Sequence, residues 1–562
     1  MAHSHPELRA PNTLEADSLR IVTLGGLGEV GRNMTLFEIN NEIFIVDCGL
    51  LFPKEHQPGI DLILPDFDYL HERYHKIKGI FLTHGHEDHI GAIPHLLSYL
   101  PIKDVPLIGS RLTISLVSEK LKERKLTAPI RIVKEGETLK LGEYQLEFVA
   151  VNHSIPDALA ALITTKAGSI LITGDFKMDQ LPLDNRKTDL VRMEEMGKTG
   201  IDLLMVDSTN ADVPGFTVPE KDIKPALEKY ITESKRRVIV ASFSSHVHRV
   251  QQVLDIAVKT NRKVAFVGRS MVRNMGLAEE LEYLHVKDGL LVEYKDIDKF
   301  GDEVILICTG SQGEPLSALY RMANGDHPIV VGPGDTVILA SSLIPGNENS
   351  VFSIINELTR LGAKVVHKGN ALVHVSGHAA AGELLYFFNT LKPKNLLPIH
   401  GEWRHLRACG ELGIESGISR KNIFTIENGI VLDMKAGKIE VAGAIHVGYI
   451  FIDGPTIGEI TEDSLKDRRI LGEEGFISVI LVVDSADGKI VAGPDIHARG
   501  FTEDDSLFGD VKAEIETALA RAVASGANAA PQLEKVLRKT LGAWAGEKQR
   551  RKPMIVPVVV EI

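Results

Sequence analysis

The chain has 562 residues, 44% of them hydrophobic and 25% charged, the profile of a multidomain globular protein and not of a disordered or fibrous one. Its net charge of −13 excludes a uniformly basic surface coated with nucleic acid, although a local basic groove on an acidic protein still binds phosphates. Three well-separated cysteines exclude a disulfide framework. With a polar N-terminus and no apolar run of about 20 residues, the expected setting is the cytoplasm, with no membrane association.

Residues 1–19 read as a loose, flexible polar arm. Over residues 20–214, short apolar and β-branched runs bracketed by Gly, Asn or Asp predict strands at 20–25, 34–39, 42–47, 79–84, 144–151, 169–175 and 202–208. Helices are expected near 90–100 and 111–125. Residues 215–372 change texture. A helix at 219–235 is followed by strands at 237–242, 263–268, 303–310 and 336–341, alternating with helices near 247–260, 271–284 and 347–361. That alternation predicts a separate domain with a parallel, Rossmann-like sheet. Residues 373–455 return to His- and Gly-rich loops beside short strands. A linker at 456–469 leads to a small α+β domain at 470–562, with strands at 476–483 and 554–562 and helices near 508–525 and 531–544. The fold class is mixed α/β.

The sharpest chemical signal is Thr83-His84-Gly85-His86-Glu87-Asp88-His89, placed after an apolar strand and before a helix. Two imidazoles two residues apart reach one metal ion from a loop, and an Asp and a His just beyond turn to a second. His153, Asp175 and His400 each end a strand run. Singly, each is explained as well by capping; with the loop, they make a ligand set. Imidazole and carboxylate without thiolate suit zinc, with manganese as the alternative. Two such ions activate water and stabilise the oxygens of an in-line phosphoryl displacement, so metal-assisted hydrolysis is the reaction class.

Other clusters suit anions. Ser242, Ser244, Ser245, His246, His248 and Arg249 crowd one strand end, where hydroxyls, helix N–H groups and a guanidinium can cradle a phosphate. Arg269 and Ser270 form a second such pair at the next strand end. His374, Ser376 and His378 alternate, so one face of an extended segment presents all three. The glycines of 25–31 imitate a dinucleotide fingerprint, but the following residues read as a strand where a helix is required. Lys535, Arg538, Lys539, Lys548, Arg550, Arg551 and Lys552 are either an RNA contact or a solvated face. The run 476–483 is compatible with a sheet edge that must be covered.

The ligand pattern resembles the metallo-β-lactamase superfamily, which implies an αββα sandwich. The resemblance assigns His84, His86 and His153 to one ion and Asp88, His89 and His400 to the other, with Asp175 bridging and Asp47 as a supporting carboxylate behind the ligands. Residues 215–372 resemble the inserted β-CASP domain of the superfamily's nucleases, whose further motifs match Asp207 in MVDSTN, His378 in HVSGH and His400 in PIHGEW. A histidine at the last position is typical of RNA-acting members. GGLGEVGRN at 25–33, FLTHGHEDHIGAIP at 81–94, HVSGH at 374–378 and PIHGEWRHL at 398–406 are similar to the bacterial ribonuclease J family, with a likeness that extends over residues 20–562.

That resemblance implies a ribonuclease with 5′–3′ exonuclease and endonuclease activity, preferring a 5′-monophosphate on single-stranded RNA, in rRNA maturation and mRNA decay. It implies two Zn²⁺ (or Mn²⁺) per subunit, a homodimer or homotetramer supported by the C-terminal domain, and RNA-degradosome partners. Catalytic roles fall on Asp88, Asp207 and His378, with His378 as general acid at the leaving 3′-oxygen and Asp207 orienting it. RNA phosphates fall to Ser244, Ser245, His246 and the segment His374, Val375, Ser376, Gly377 and His378. A structural Ca²⁺ would take Asp61 and Asp453, which serve equally well as turn carboxylates. Three other readings are a DNA-acting β-CASP nuclease, a small-molecule metallo-hydrolase and a non-catalytic scaffold of an RNA-decay complex. His400, the insertion with His378, and the complete ligand set argue against them in turn.

Overall fold

A computed structural model describes residues 8–54, 56–314, 317–341, 347–486, 488–502, 504–527 and 529–562, so residues 1–7 of the expected arm lie outside it. Residues 1–52 with 62–450 form one compact unit, and residues 53–61 with 451–562 form a second.

Two mixed sheets face each other in the first unit. One has eight strands in the spatial order Lys438–Ala444, Ile430–Lys435, Leu19–Gly25, Met34–Ile39, Glu42–Val46, Ile77–Leu82, Leu107–Gly109 and Ile130–Ile132. The other has six, in the order Asn395–Ile399, Leu203–Asp207, Gly168–Ile172, Leu159–Thr165, Tyr144–Ala150 and Thr138–Leu141. Side chains that alternate along the strands fill the space between. Phe37, Phe44, Val46 and Phe81 from the first sheet meet Phe148, Ile163, Ile172, Met205 and Leu397 from the second. The outer face of the second sheet is covered by the helices Leu190–Thr199, Ala381–Leu391 and Trp403–Glu415 through Met193, Phe387, Phe388 and Cys409. With both faces covered, a strand such as Leu203–Asp207 is buried at every position, which is why its sequence LLMVD does not alternate. Residues 9–17 of the expected loose arm are tied to the first sheet. Ala444 N–H donates to the Arg9 carbonyl at 3.0 Å, Arg20 Nη2 donates to the Asn12 carbonyl at 2.8 Å, and Lys435 pairs with Glu15.

The inserted sheet runs in the order Lys263–Val267, Val304–Cys308, Val238–Ala241, Thr336–Leu339 and Lys364–Val366, parallel at every pairing. Helices Val247–Lys259 and Arg269–Glu280 cover one face, and Ala318–Ala323 and Glu348–Arg360 the other. This is the Rossmann-like layering the sequence predicts. After the insertion, Asn395–Ile399 docks parallel to Leu203–Asp207, the strand that precedes it, with Asp207 opposite Ile399.

Several strands escape the sequence reading, among them Leu159–Thr165 and Ile130–Ile132. The first carries alanines of low strand propensity, and the second is exposed and only three residues long. Two other strands stop early. Ile77–Leu82 ends before His84, and Gly168–Ile172 ends before Asp175, which frees both side chains on loops.

The second unit holds a three-stranded sheet in the order Ile490–Arg499, Phe476–Val483 and Met554–Glu561. Phe476–Val483 is the central strand and not the expected edge. It is antiparallel to one neighbour and parallel to the other. Ile477, Val479, Leu481 and Val483 pack on Ile515, Leu519, Leu537 and Leu541 from the helices Gly509–Ala524 and Ala530–Trp544. The expected linker at 456–469 instead contains the strand Thr456–Ile457 and most of a helix, Glu462–Glu473. Thr461 caps that helix by accepting from Ser464 N–H at 3.3 Å. Its sequence hides it because only Leu465 is buried, so no apolar stripe marks it.

Candidate metal centre

Strands Glu42–Val46 and Ile77–Leu82 lie parallel, so their C-terminal ends deliver Asp47 and the loop 83–89 to one rim. Asp47 takes a left-handed backbone, φ 61°, and turns its carboxylate inward. Its Oδ1 accepts from Thr83 N–H at 2.8 Å, and Oδ2 accepts from the Thr83 hydroxyl at 2.9 Å. Oδ2 also lies 2.8 Å from His89 Nδ1. A carboxylate only accepts, so the His89 proton sits on Nδ1 and Nε2 is turned to the site. The backbones of 48–50 and 87–92 are zipped together by Cys48 N–H to the His89 carbonyl at 2.8 Å and Leu50 N–H to the Glu87 carbonyl at 3.1 Å. Only glycine permits this approach at 49, where a Cβ would stand 1.6 Å from the Asp88 carbonyl oxygen.

Two donor groups result. His84 Nε2 and His153 Nε2 each lie 3.1 Å from His86 Nδ1, and each is 3.7 Å from Asp175 Oδ2. On the other side, Asp88 Oδ2 lies 3.1 Å from His400 Nε2 and 3.7 Å from His89 Nε2, while His89 Nε2 is 3.3 Å from Asp175 Oδ1. One ligand atom from each residue of a group lies within 4.8 Å of the others. Asp175 belongs to both, with one oxygen turned to each, and also to a third group with Asp207, His378 and His400. Its Oδ1 is buried and accepts no hydrogen bond among the described residues. Converging imidazole nitrogens and a bare buried carboxylate oxygen fit a cation-binding site, and the N/O donor set without sulfur fits zinc or manganese.

The electrostatics divide the same way. Burial and the neighbouring imidazoles hold His84 and His153 well below the ordinary histidine value, and burial brings His86 down to about 4 against Asp88 and Asp175. Rings held neutral in this way keep a lone pair that a cation can use. Burial also disfavours charge on His89 and His400, but there it is overridden: Asp175, Asp207 and Asp88 raise His400 to about 10, and Asp175, Asp88 and Asp47 raise His89. The carboxylates favour a cation on that side, whether proton or metal.

Beside the second group, His378 Nδ1 lies 2.8 Å from Asp207 Oδ2, and its ring stacks on His400 at 5.4 Å. Burial works against a charge on His378, yet Asp207 and then Asp175 raise it above the ordinary value. The side chain retains 19% exposure.

The phosphate candidates separate. Ser244 and Ser245 are half-buried, with Ser244 Oγ accepting from Asn274 Nδ2 at 3.1 Å. His246 and His374 are buried and stack ring on ring at 6.1 Å. Ser376 Oγ accepts from Asn210 Nδ2 at 2.8 Å, and the Gly377 carbonyl accepts from His153 Nδ1 at 2.8 Å. Val375 is buried in the core of the inserted sheet, so its side chain is not available to a phosphate. Arg249 does not cradle an anion, because its guanidinium is buried and paired with Glu220 at 2.8 Å. Arg269 is exposed. Lys535, Arg538, Lys539, Lys548, Arg550 and Lys552 are exposed, as on a solvated face. Asp61 and Asp453 do not fit a calcium site. Asp61 Oδ2 accepts from Gly454 N–H at 2.7 Å, and the Arg468 guanidinium occupies Asp453.

Sequence reasoning missed the groups that hold the site from behind. The Thr209 hydroxyl donates to the His400 carbonyl at 2.8 Å and so accepts from His400 Nδ1, also at 2.8 Å, which leaves Nε2 toward Asp88. Its only signal was its place two residues after Asp207. Glu383 accepts from Met178, Thr217 and Ala380 N–H, at 2.7, 2.7 and 2.8 Å, and looked like an ordinary helix residue.

Comparison with known proteins gives four family matches along the chain. Residues 27–187 match the metallo-beta-lactamase superfamily, 235–358 the ribonuclease J beta-CASP domain, 362–425 the Zn-dependent metallo-hydrolase RNA specificity domain, and 463–562 the ribonuclease J C-terminal domain. Ribonuclease J of Mycobacterium tuberculosis is 47% identical over 558 residues, covering 99% of this chain and 100% of its own. Ribonuclease J of Thermus thermophilus is 40% identical, with 97% of this chain and 96% of its own covered. Ribonuclease J2 of Bacillus subtilis is 37% identical, with 97% and 99% covered. A solved protein of unknown function from Enterococcus faecalis shares the fold at a TM-score of 0.52 and 18% identity, over 74% of this chain and 100% of its own. A lactamase sandwich, an inserted parallel sheet and converging His/Asp donors at the sandwich rim define a metallo-hydrolase of the β-CASP nuclease class. The chain belongs to the ribonuclease J family and is an RNA-cleaving hydrolase.

Proposed function

We infer that the protein is a cytoplasmic 5′–3′ exoribonuclease, also able to cut internally, that starts at a 5′-monophosphate and serves rRNA maturation and mRNA decay. The observation that carries this reading is Asp175, whose two oxygens each face a separate set of donors beside the Asp207–His378 pair. His84, His86 and His153 would hold one zinc ion and Asp88, His89 and His400 a second, with Asp175 shared; manganese suits the same donors. When bound, the ions supply an activated water and charge stabilisation for the phosphodiester oxygens.

The chain's own groups do the rest. Asp47 and the Gly377 carbonyl fix His89 and His153 through the ring nitrogen that faces away from the site, and Thr209 holds His400 at Nδ1. Asp207 accepts a hydrogen bond from His378 Nδ1–H, so Nε2 is the atom that hands a proton to the leaving 3′-oxygen. Ser244, Ser245, His246 and 374–378 are the residues among which the terminal phosphate would bind, and a closed pocket there would refuse a triphosphate. The outer face of the C-terminal sheet, with Ile480, Val491, Val556, Val558 and Val560 exposed, supports self-association into a homodimer or homotetramer.

Product mapping on one RNA bearing a 5′-triphosphate, 5′-monophosphate or 5′-hydroxyl tests the reading. Stepwise loss of nucleotides from the 5′ end, fastest on the monophosphate, is expected. Equal rates on all three would overturn 5′-end selection.

A further inference from the structure

Arg249 lies in the first turn of Val247–Lys259, almost wholly buried. Its Nε and Nη2 donate to Glu220 Oε1 at 3.1 and 2.8 Å, and Nη2 also donates to Oε2 at 2.9 Å. Glu220 is fixed in turn from the lactamase side, its N–H donating to Asp179 Oδ2 at 2.9 Å. The remaining guanidinium nitrogen, Nη1, donates to the Ala340 carbonyl and lies 2.6 Å from His374 Nδ1.

A guanidinium has donors only and keeps its charge. His374 Nδ1 must therefore accept, and the proton of the neutral ring is forced onto Nε2. The Ala340 carbonyl is also within reach of the His374 ring, but a proton on Nδ1 would face the guanidinium N–H at 2.6 Å. Burial and the Arg249 charge keep the ring neutral. Nε2 is buried and has no hydrogen-bond partner among the described residues. The stacked His246 ring leaves its Nδ1 in the same condition, and so does the Ser242 hydroxyl at the same strand end. Buried polar atoms without partners are rare in folded proteins, and a cluster of them marks a place where a ligand completes the bonding.

We propose that Arg249, clamped by Glu220, is a positioning residue for 5′-end recognition: it fixes His374 as the Nε2–H tautomer, a neutral donor to the terminal phosphate of RNA. This rests on the 5′-phosphate pocket described above and assigns its orienting group. A neutral N–H donor binds the phosphate without a second buried cation beside Arg249. The clamp joins the two halves of the pocket, since Arg249 lies in the helix that follows Ser244, Ser245 and His246 while His374 opens the segment 374–378.

The test compares Glu220→Gln, Arg249→Lys, His374→Ala and His374→Gln with the unaltered, metal-loaded enzyme. Glutamine at 374 offers an acceptor toward Arg249 and an N–H donor toward the pocket, so it is the conservative rescue. Two readouts are used: kcat and KM on one RNA with a 5′-monophosphate or a 5′-hydroxyl, and calorimetric binding of adenosine 5′-monophosphate against adenosine. Glu220→Gln and Arg249→Lys should raise KM for the monophosphorylated end and weaken nucleotide binding roughly tenfold or more, with kcat and internal cleavage held. His374→Ala should lose the preference, and His374→Gln should keep most of it. An unaltered enzyme indifferent to the terminal phosphate overturns the pocket reading itself. A selective one whose Glu220→Gln and Arg249→Lys forms stay selective overturns the clamp alone. Equal loss of terminal and internal cleavage in Glu220→Gln means a merely structural role and also overturns it. Should Arg249→Lys fail to fold, Glu220→Gln and the His374 pair decide.

Discussion

At the scale of single residues, the centre is set by what each histidine does with its second nitrogen. Asp47 holds His89 at Nδ1, and its loss removes the shortest hydrogen bond on that ring. Asp47→Ala should weaken zinc retention ~10–100-fold, read by residual metal against rising chelator. A retention curve matching the parent's would remove Asp47 from this role. His378→Ala should slow cleavage ~10²–10⁴-fold while RNA affinity changes little, by single-turnover rate and equilibrium binding on the same RNA. Parallel losses would make His378 a phosphate holder. The sequence exposed His84, His86, Asp88, His89, His153, Asp175 and His400 because strand ends bring polar side chains to a rim. Thr209 and the Gly377 carbonyl were illegible because only tertiary approach makes them partners of His400 and His153.

Among the elements, the tightest constraint is the contact of the 47–49 turn with the helix Glu87–Ile90. Gly49→Ala puts a methyl inside the Asp88 carbonyl, so Asp88 and His89 must shift. Thermal melting and metal content should both fall; unchanged values would mean that the turn yields. Glu383, at the start of Ala381–Leu391, ties together the backbones at 178, 217 and 380, all close to the His378 loop. Glu383→Ala strands two buried N–H groups and a half-buried one, at about 1–3 kcal/mol for each buried group. A drop in stability of a few kcal/mol by denaturant titration is expected, and a change under 1 kcal/mol would show that water replaces the carboxylate. The parallel insertion was legible because its strands are continuous apolar runs separated by amphipathic helices. The helix Glu462–Glu473 was not, since a nearly all-polar helix carries no period to read.

For the whole molecule, the C-terminal sheet poses the clearest question, because its helices cover one face and leave valines and isoleucine on the other. Val556→Asp with Val558→Asp should lower the mass found by light scattering while RNA cleavage at the separate centre persists. An unchanged mass would place self-association elsewhere. Chain order matters as well. Leu19–Gly25 pairs with Ile430–Lys435, and Leu203–Asp207 waits for Asn395–Ile399, with His400 directly behind. At roughly 5–20 residues per second, translation leaves about 10–40 s between the emergence of Asp207 and that of His400. Throughout that interval the lactamase half is present but its donor set is open. Stalled ribosomal complexes that end before His400 should release no nucleotides from added RNA. The late return strand thus acts as a clock on the centre, whose donor set closes only after the ribosome has read most of the message.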